Sequence, residues 1–128
     1  MGQKILVVDD NPDAVAIVKG VLEARGFTVT AAERGASALE SVAADRPDVI
    51  LLDIMMPDMS GLEVLEKLKA TPATAMIPVI LLTAKTQDDD VISGYTVGAE
   101  YYITKPFTAR QLMYGVNLVL GQQGERGG

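Results

Sequence analysis

Neither cysteine nor histidine occurs among the 128 residues. That double absence excludes disulfide and thiolate chemistry, zinc centres built on Cys and His, Ser-His-Asp triads and imidazole acid-base catalysis. Whatever chemistry the chain performs falls to oxygens and amines. Long hydrophobic runs are also missing. The longest clean apolar stretches, Ile5 to Val8, Val49 to Leu52 and Val79 to Leu82, are far too short to cross a bilayer. The first of them ends at Asp9 and Asp10, so it is no signal-peptide core, and Met1-Gly2 lacks the downstream Ser or Thr of an acylation signal. A cytoplasmic location without membrane contact is therefore expected. Positive charge is scarce as well: 11 Lys and Arg stand against 17 Asp and Glu, a net charge of -6. Such a balance opposes direct binding of nucleic acid or anionic lipid by this segment and favours a cation or a basic partner.

What is present fits one globular domain. The length allows a single core, and 48% hydrophobic with 22% charged residues is too ordinary a mixture for a disordered or fibrous chain. Strand and helix signals alternate from end to end without an internal repeat, the pattern of an open parallel α/β sheet. The three apolar runs suit strands covered on both faces. Two mixed segments, Phe27 to Ala31 and Tyr101 to Ile103, suit edge strands. Placing the first, third and fourth strands inside and the second and fifth outside, with right-handed crossovers, predicts the order 2-1-3-4-5 with helices on both faces. Asn11-Pro12 starts the first helix, followed by Ala14, Ile17, Val18 and Val21 at helical spacing, and Gly26 ends it. Ser60-Gly61-Leu62-Glu63 and Thr108-Ala109-Arg110-Gln111 read as capping boxes. Residues 1–121 form the expected domain, and residues 122–128 are expected to be a flexible C-terminal tail or linker.

Polar residues collect where the apolar strands end: Asp9 and Asp10 after the first, Asp53 after the third, Thr83 after the fourth and Lys105 after the fifth. In a parallel sheet these positions share one edge. Ligands bind there, at the point where strand order reverses. Three aspartates brought together repel one another unless a cation is present. With no imidazole or thiolate on offer, a hard ion is indicated, and few carboxylates combined with water and phosphate oxygens suit Mg²⁺ better than Ca²⁺. A Lys105 ammonium and a Thr83 hydroxyl would complete a phosphoryl pocket, since phosphoryl transfer depends mainly on positioning and charge neutralisation.

These residues resemble the receiver domain of two-component response regulators. The likeness extends over about residues 3 to 120. It rests on Asp9-Asp10, on Asp53-Ile54-Met55-Met56-Pro57-Asp58-Met59-Ser60-Gly61, on Thr83-Ala84-Lys85, and on Gly98-Ala99 followed by Tyr102 and Lys105-Pro106-Phe107. The resemblance implies a flavodoxin-like, doubly wound sheet of five parallel strands with about five helices. It implies a phosphoacceptor switch of a phosphorelay, in which Asp53 takes a phosphoryl group from a sensor histidine kinase or a histidine phosphotransfer protein. By the same carry-over, Asp10, Asp53 and the Met55 carbonyl hold Mg²⁺ directly, Asp9 assists through water, Lys105 grips the phosphoryl oxygens, and the Lys105-Pro106 peptide is cis. Thr83 and Tyr102 are the implied switch pair, altering the surface of the fourth helix, fifth strand and fifth helix for a downstream protein or output domain. No turnover of an outside substrate is implied.

Other readings stand beside these. Asp9 and Asp10 would also serve as caps of the first helix, Asp53 as a turn residue, Lys105-Pro106 as a solvated turn and Tyr102 as edge-strand packing. Asp88-Asp89-Asp90 reads as favourable charge at a helix start rather than as a metal cluster. The last helix carries more apolar residues than one buried face needs. Leu112, Val116, Val119 and Leu120 would cover the sheet and leave Met113, Tyr114 and Leu118 for a partner surface or a homodimer formed on phosphorylation. Two rival functions remain: an interaction module that is never phosphorylated, and a phosphatase that forms an aspartyl phosphate. The second is disfavoured because Met55 occupies the place, two residues after Asp53, where such enzymes usually need a second acid.

Overall fold

The computed structural model describes residues 3–83 and 98–127, the side chains of Thr83 and of residues 122–127 excepted. Five strands, β1 (Lys4–Val8), β2 (Thr28–Ala32), β3 (Val49–Asp53), β4 (Val79–Thr83) and β5 (Tyr101–Thr104), form one parallel sheet in the order β2-β1-β3-β4-β5. Among the described residues there are four helices: α1 (Pro12–Glu23), α2 (Gly35–Ala44), α3 (Gly61–Ala70) and α4 (Ala109–Gly127). The expected strand order is therefore found. The helix expected at Asp88-Asp89-Asp90, together with Ala84 and Lys85, lies outside the described residues. Residues 122–127, anticipated as tail or linker, have helical backbone within α4. None of the described helices is long and apolar enough to cross a membrane.

The unbroken apolar runs are explained by the two cores they feed. Successive side chains of a strand point to opposite faces. Leu6, Val8, Ile50, Leu52, Val79 and Leu81 therefore pack with Ala38 and Val42 of α2 and Val64, Leu65 and Leu68 of α3. Their alternates, Ile5, Val7, Val49, Leu51, Ile80 and Leu82, pack with Val18 and Leu22 of α1 and Leu112, Val116 and Val119 of α4. Every residue of β3 is buried, which is why no polar side chain interrupts Val49 to Leu52. Strand β2, at the sheet edge, buries only Val29 and Ala32.

Local chemistry fixes the helix starts. The Asn11 side chain accepts the backbone N–H groups of Asp13 and Ala14 at 2.9 and 3.3 Å. The Ser60 hydroxyl accepts the Leu62 N–H at 3.1 Å while Glu63 takes the Ser60 N–H at 3.3 Å, and Thr108 with Gln111 repeats the arrangement at 3.1 and 2.8 Å. One expectation for α1 needs correction. Ile17 is 65% exposed, and the buried stripe is Val18 and Leu22. The i and i+4 pair closest to the helix axis facing the sheet is what burial selects, and Ile17 falls one position off it.

At the N-terminal ends of the strands, α3, β4 and β5 are tied by one ion pair. Lys69 Nζ donates to the carbonyls of Ala75 and Ile77 at 3.1 and 3.0 Å and to both Glu100 oxygens at 3.2 and 3.0 Å. Glu100 Oε1 also accepts the Val79 N–H at 2.8 Å.

Candidate phosphoryl and metal site

The C-terminal ends of β1, β3 and β5 bring the acids and the lysine together. Asp9, directly after β1, is 2% exposed. Its Oδ1 accepts the Asn11 N–H at 3.0 Å and its Oδ2 accepts Lys105 Nζ at 2.6 Å. Asp53 closes β3 and is 5% exposed. Its Oδ1 accepts the Met55 N–H at 3.2 Å, and its Oδ2 lies 3.8 Å from Lys105 Nζ. Asp10 is exposed at the rim, and one carboxylate oxygen from each of Asp9, Asp10 and Asp53 falls within 4.8 Å of the others. The structure thus assembles Asp9, Asp10, Asp53 and Lys105 from segments nearly a hundred residues apart. The Lys105-Pro106 peptide is cis. Lys105 sits closer to Asp9 than to Asp53, a preference the spacing of the sequence did not reveal.

Asp53 is locked in place from behind. A Cβ on Gly61, the first residue of α3, would come within 2.2 Å of the Asp53 carbonyl oxygen and 2.8 Å of Ile54 Cα. Only a residue without a side chain lets α3 start so close to the Asp53 and Ile54 backbone. The Gly61 N–H donates to the Ile54 carbonyl at 2.8 Å, closing the β3-α3 loop. That loop and Asp10 line a shallow cleft formed by Asp10, Ile54, Met55, Met56, Pro57 and Ser60.

Among the described residues, three carboxylates of the cluster share one ammonium, that of Lys105. Burial pushes the Asp53 carboxyl up to about 6, with the Asp9 charge adding to the rise and the Lys105 ammonium and Met55 N–H opposing it. An all-oxygen donor set with surplus negative charge fits a hard divalent cation. By contrast Asp58, in the same loop, is held below its usual range by the backbone N–H of Gly35 at the start of α2 and, further, by that of Ala36.

Thr83 ends β4 opposite Thr104 of β5, on the same rim as Asp53. Tyr102 is half-buried against the core formed with α2 and α3. Of the apolar surplus on the last helix, Met113 packs partly against the core, Leu118 is half-buried, and Tyr114 is 60% exposed with its ring 6.1 Å from that of Tyr101. The surplus face is therefore narrower than expected, centred on Tyr114. Sequence reasoning missed the role of Asp58. The signal was Arg34, a residue with donors only standing where the cap of α2 should be.

Residues 5–117 match the response regulator receiver domain. The chain belongs to this family. It is 40% identical over 124 residues to the phosphate regulon transcriptional regulatory protein PhoB of Pseudomonas aeruginosa, covering 97% of this chain and 54% of that protein. This receiver domain spans about half the length of the curated relatives it matches. Among solved structures it resembles the chemotaxis protein CheY4 of Vibrio cholerae, with a TM-score of 0.89, 30% identity and coverage of 93% and 99% of the two chains. It also resembles the phosphorylated cyanobacterial phytochrome response regulator RcpA, with a TM-score of 0.82, 29% identity and coverage of 91% and 92%. The receiver domain assignment accounts for both the sheet order and the convergence of acids at its switch point.

Proposed function

We propose that this receiver domain is a phosphoacceptor switch in a two-component phosphorelay, with Asp53 as the acceptor. The observation carrying the reading is the meeting of Asp9, Asp10 and Asp53 within 4.8 Å beside Lys105. An Asp53 oxygen attacks the phosphorus of a phosphohistidine on a sensor histidine kinase or histidine phosphotransfer protein. The O–P bond forms, the P–N bond breaks, and the imidazole leaves. Lys105 neutralises the incoming phosphoryl oxygens, which requires its ammonium to shift its main contact from Asp9 toward Asp53. Asp10, Asp53 and the Met55 carbonyl would hold Mg²⁺, with Asp9 acting through water, and the ion would supply charge neutralisation at the phosphoryl group. Burial of Asp53 keeps competing water off the acceptor except through the open cleft.

The donor approaches over an apolar groove lined by Ala14, Ile17, Lys105, Pro106 and Phe107. The exposed Ile17 lines this groove. The aspartyl phosphate carries about 1.5 to 2 negative charges in place of the single charge of the carboxylate; Thr83 follows the new oxygens, Tyr102 repacks, and the surface around β5 and α4 is read by a downstream protein or output domain, with a homodimer as one such readout. The domain acts in the cytoplasm, binds no nucleic acid itself and turns over no external substrate. The test is incubation with a small acyl phosphate and Mg²⁺, followed by mass-spectrometric mapping. A single adduct on Asp53 is expected; no adduct, or one persisting in Asp53→Asn, overturns the assignment.

A further inference from the structure

Helix α2 lacks a cap of its own. Its N-cap position is Arg34, whose side chain has no acceptor, and Ser37 bonds back to the Arg34 N–H and carbonyl rather than to the first amides of the helix. Those amides are taken from outside. Asp58 Oδ1 accepts the Gly35 N–H at 3.1 Å and Asp58 Oδ2 accepts the Ala36 N–H at 3.2 Å. A carboxylate is well placed there, since the first turn of a helix presents free N–H groups and partial positive charge. An apolar contact reinforces the tie. The neighbouring Met59 lies over Gly35 so closely that a Cβ there would come within 2.3 Å of its Cγ and 2.7 Å of its Sδ.

Asp58 belongs to the β3-α3 loop, three residues beyond Met55 and five beyond Asp53. The loop is anchored at its start by the Met55 N–H on Asp53 and at its end by the Gly61 N–H on Ile54. Between those anchors, the backbone that presents the Met55 carbonyl runs over the rim toward solvent, with Met55 and Pro57 exposed. Fastening its far side to α2 fixes that carbonyl relative to the Asp53 and Asp10 oxygens. We infer that Asp58 is a positioning residue for the cation site: by capping α2 from the β3-α3 loop, it holds the loop backbone in the shape that receives Mg²⁺. The inference rests on the cation site proposed above.

The competing role is that of a cap that merely stabilises α2. Arg34→Ser separates the two, because Arg34 has the extended backbone of an N-cap (φ -140, ψ 160) and a serine there supplies α2 with a local acceptor while leaving the loop unfastened. The experiment titrates the parent, Asp58→Ala, Asp58→Asn and the double variant Asp58→Ala/Arg34→Ser with Mg²⁺ alone, read by backbone amide shifts, alongside thermal melts and amide hydrogen exchange. Asp58→Ala is expected to weaken Mg²⁺ binding about tenfold, in line with lost support around a metal site, and to speed exchange of the Met55 to Met59 amides. Asp58→Asn, which keeps one acceptor oxygen, falls between. The double variant regains the melting temperature but not the affinity. If Arg34→Ser restores Mg²⁺ binding with the melt, or if Asp58→Ala binds within twofold of the parent, Asp58 is a helix cap only and the inference is overturned. A parent that binds no Mg²⁺ overturns the cation site itself, and the inference with it.

Discussion

Removing the Asp53 charge should stabilise the metal-free fold, and should do so only where Asp53 is ionised. A carboxyl raised to about 6 from an ordinary 3.8 binds its proton more tightly in the folded state than in the unfolded one. Stability therefore falls as pH rises through that interval, and the cost of ionising Asp53 is complete above it. The interval corresponds to about 3 kcal/mol at pH 7.5, and to about 1 kcal/mol at pH 4.5, where the folded carboxyl is still mostly protonated. Asp53→Asn keeps an Oδ1 acceptor for the Met55 N–H and deletes the charge. In chelator it should gain about 1 to 3 kcal/mol at pH 7.5, about 4 °C of melting temperature per kcal/mol, and much less at pH 4.5. Adding Mg²⁺ should then stabilise the parent and leave the variant nearly unmoved, narrowing the gap. Urea melts followed by circular dichroism at both pH values, with chelator and with Mg²⁺, measure all four numbers. A variant that is less stable than the parent at pH 7.5, or whose gain is equal at the two pH values, would refute the claim that buried negative charge is the dominant strain in this site.

Further outcomes follow from other contacts. Lys105→Met removes the ammonium that favours ionised Asp53, so the Asp53 carboxyl should titrate above 6, measurable by carbon NMR of the labelled side chain; an unchanged or lower value would contradict the assigned charge pair. Gly61→Ala drives a methyl into the Asp53 and Ile54 backbone and should cost about 1 to 3 kcal/mol or more in urea melts, together with slower phosphorylation. Gly20→Ala, in α1 with nothing within 4 Å of the new methyl, should instead stabilise by about 0.5 to 1 kcal/mol. Lys69→Met takes the ammonium from the carbonyls of Ala75 and Ile77 and from Glu100, which keeps the Val79 N–H, and should cost about 2 to 4 kcal/mol, while phosphorylation of the folded fraction by acyl phosphate keeps its rate.

The three buried strands were legible because full burial on both faces leaves only apolar side chains between Val49 and Leu52, or between Val79 and Leu82. The convergence of Asp9, Asp10, Asp53 and Lys105 was legible for a topological reason: parallel strands end on one rim, so residues that follow strands meet. Pairings across that rim were not. Whether Lys105 rests on Asp9 or Asp53 depends on a difference of about an ångström between oxygens, and no spacing encodes it. The placement of Ile17 failed because helical periodicity marks a broad face, whereas the contact line on β1 and β2 selects Val18 and Leu22 within it. Asp58 was passed over since its partners, Gly35 and Ala36, lie more than twenty residues earlier; only the missing cap at Arg34 betrays the need for it. The Lys69 and Glu100 pair is of the same kind, a match between two charged residues separated by thirty-one positions.

That pair lies at the opposite end of the sheet from the acids, and the separation has an engineering meaning. The molecule has a bolted floor, with its acids at the other end. Tightening the floor, where Lys69 and Glu100 clamp the roots of β4 and β5, offers a route to hardier variants in which the rim of acids upstairs is left as it was.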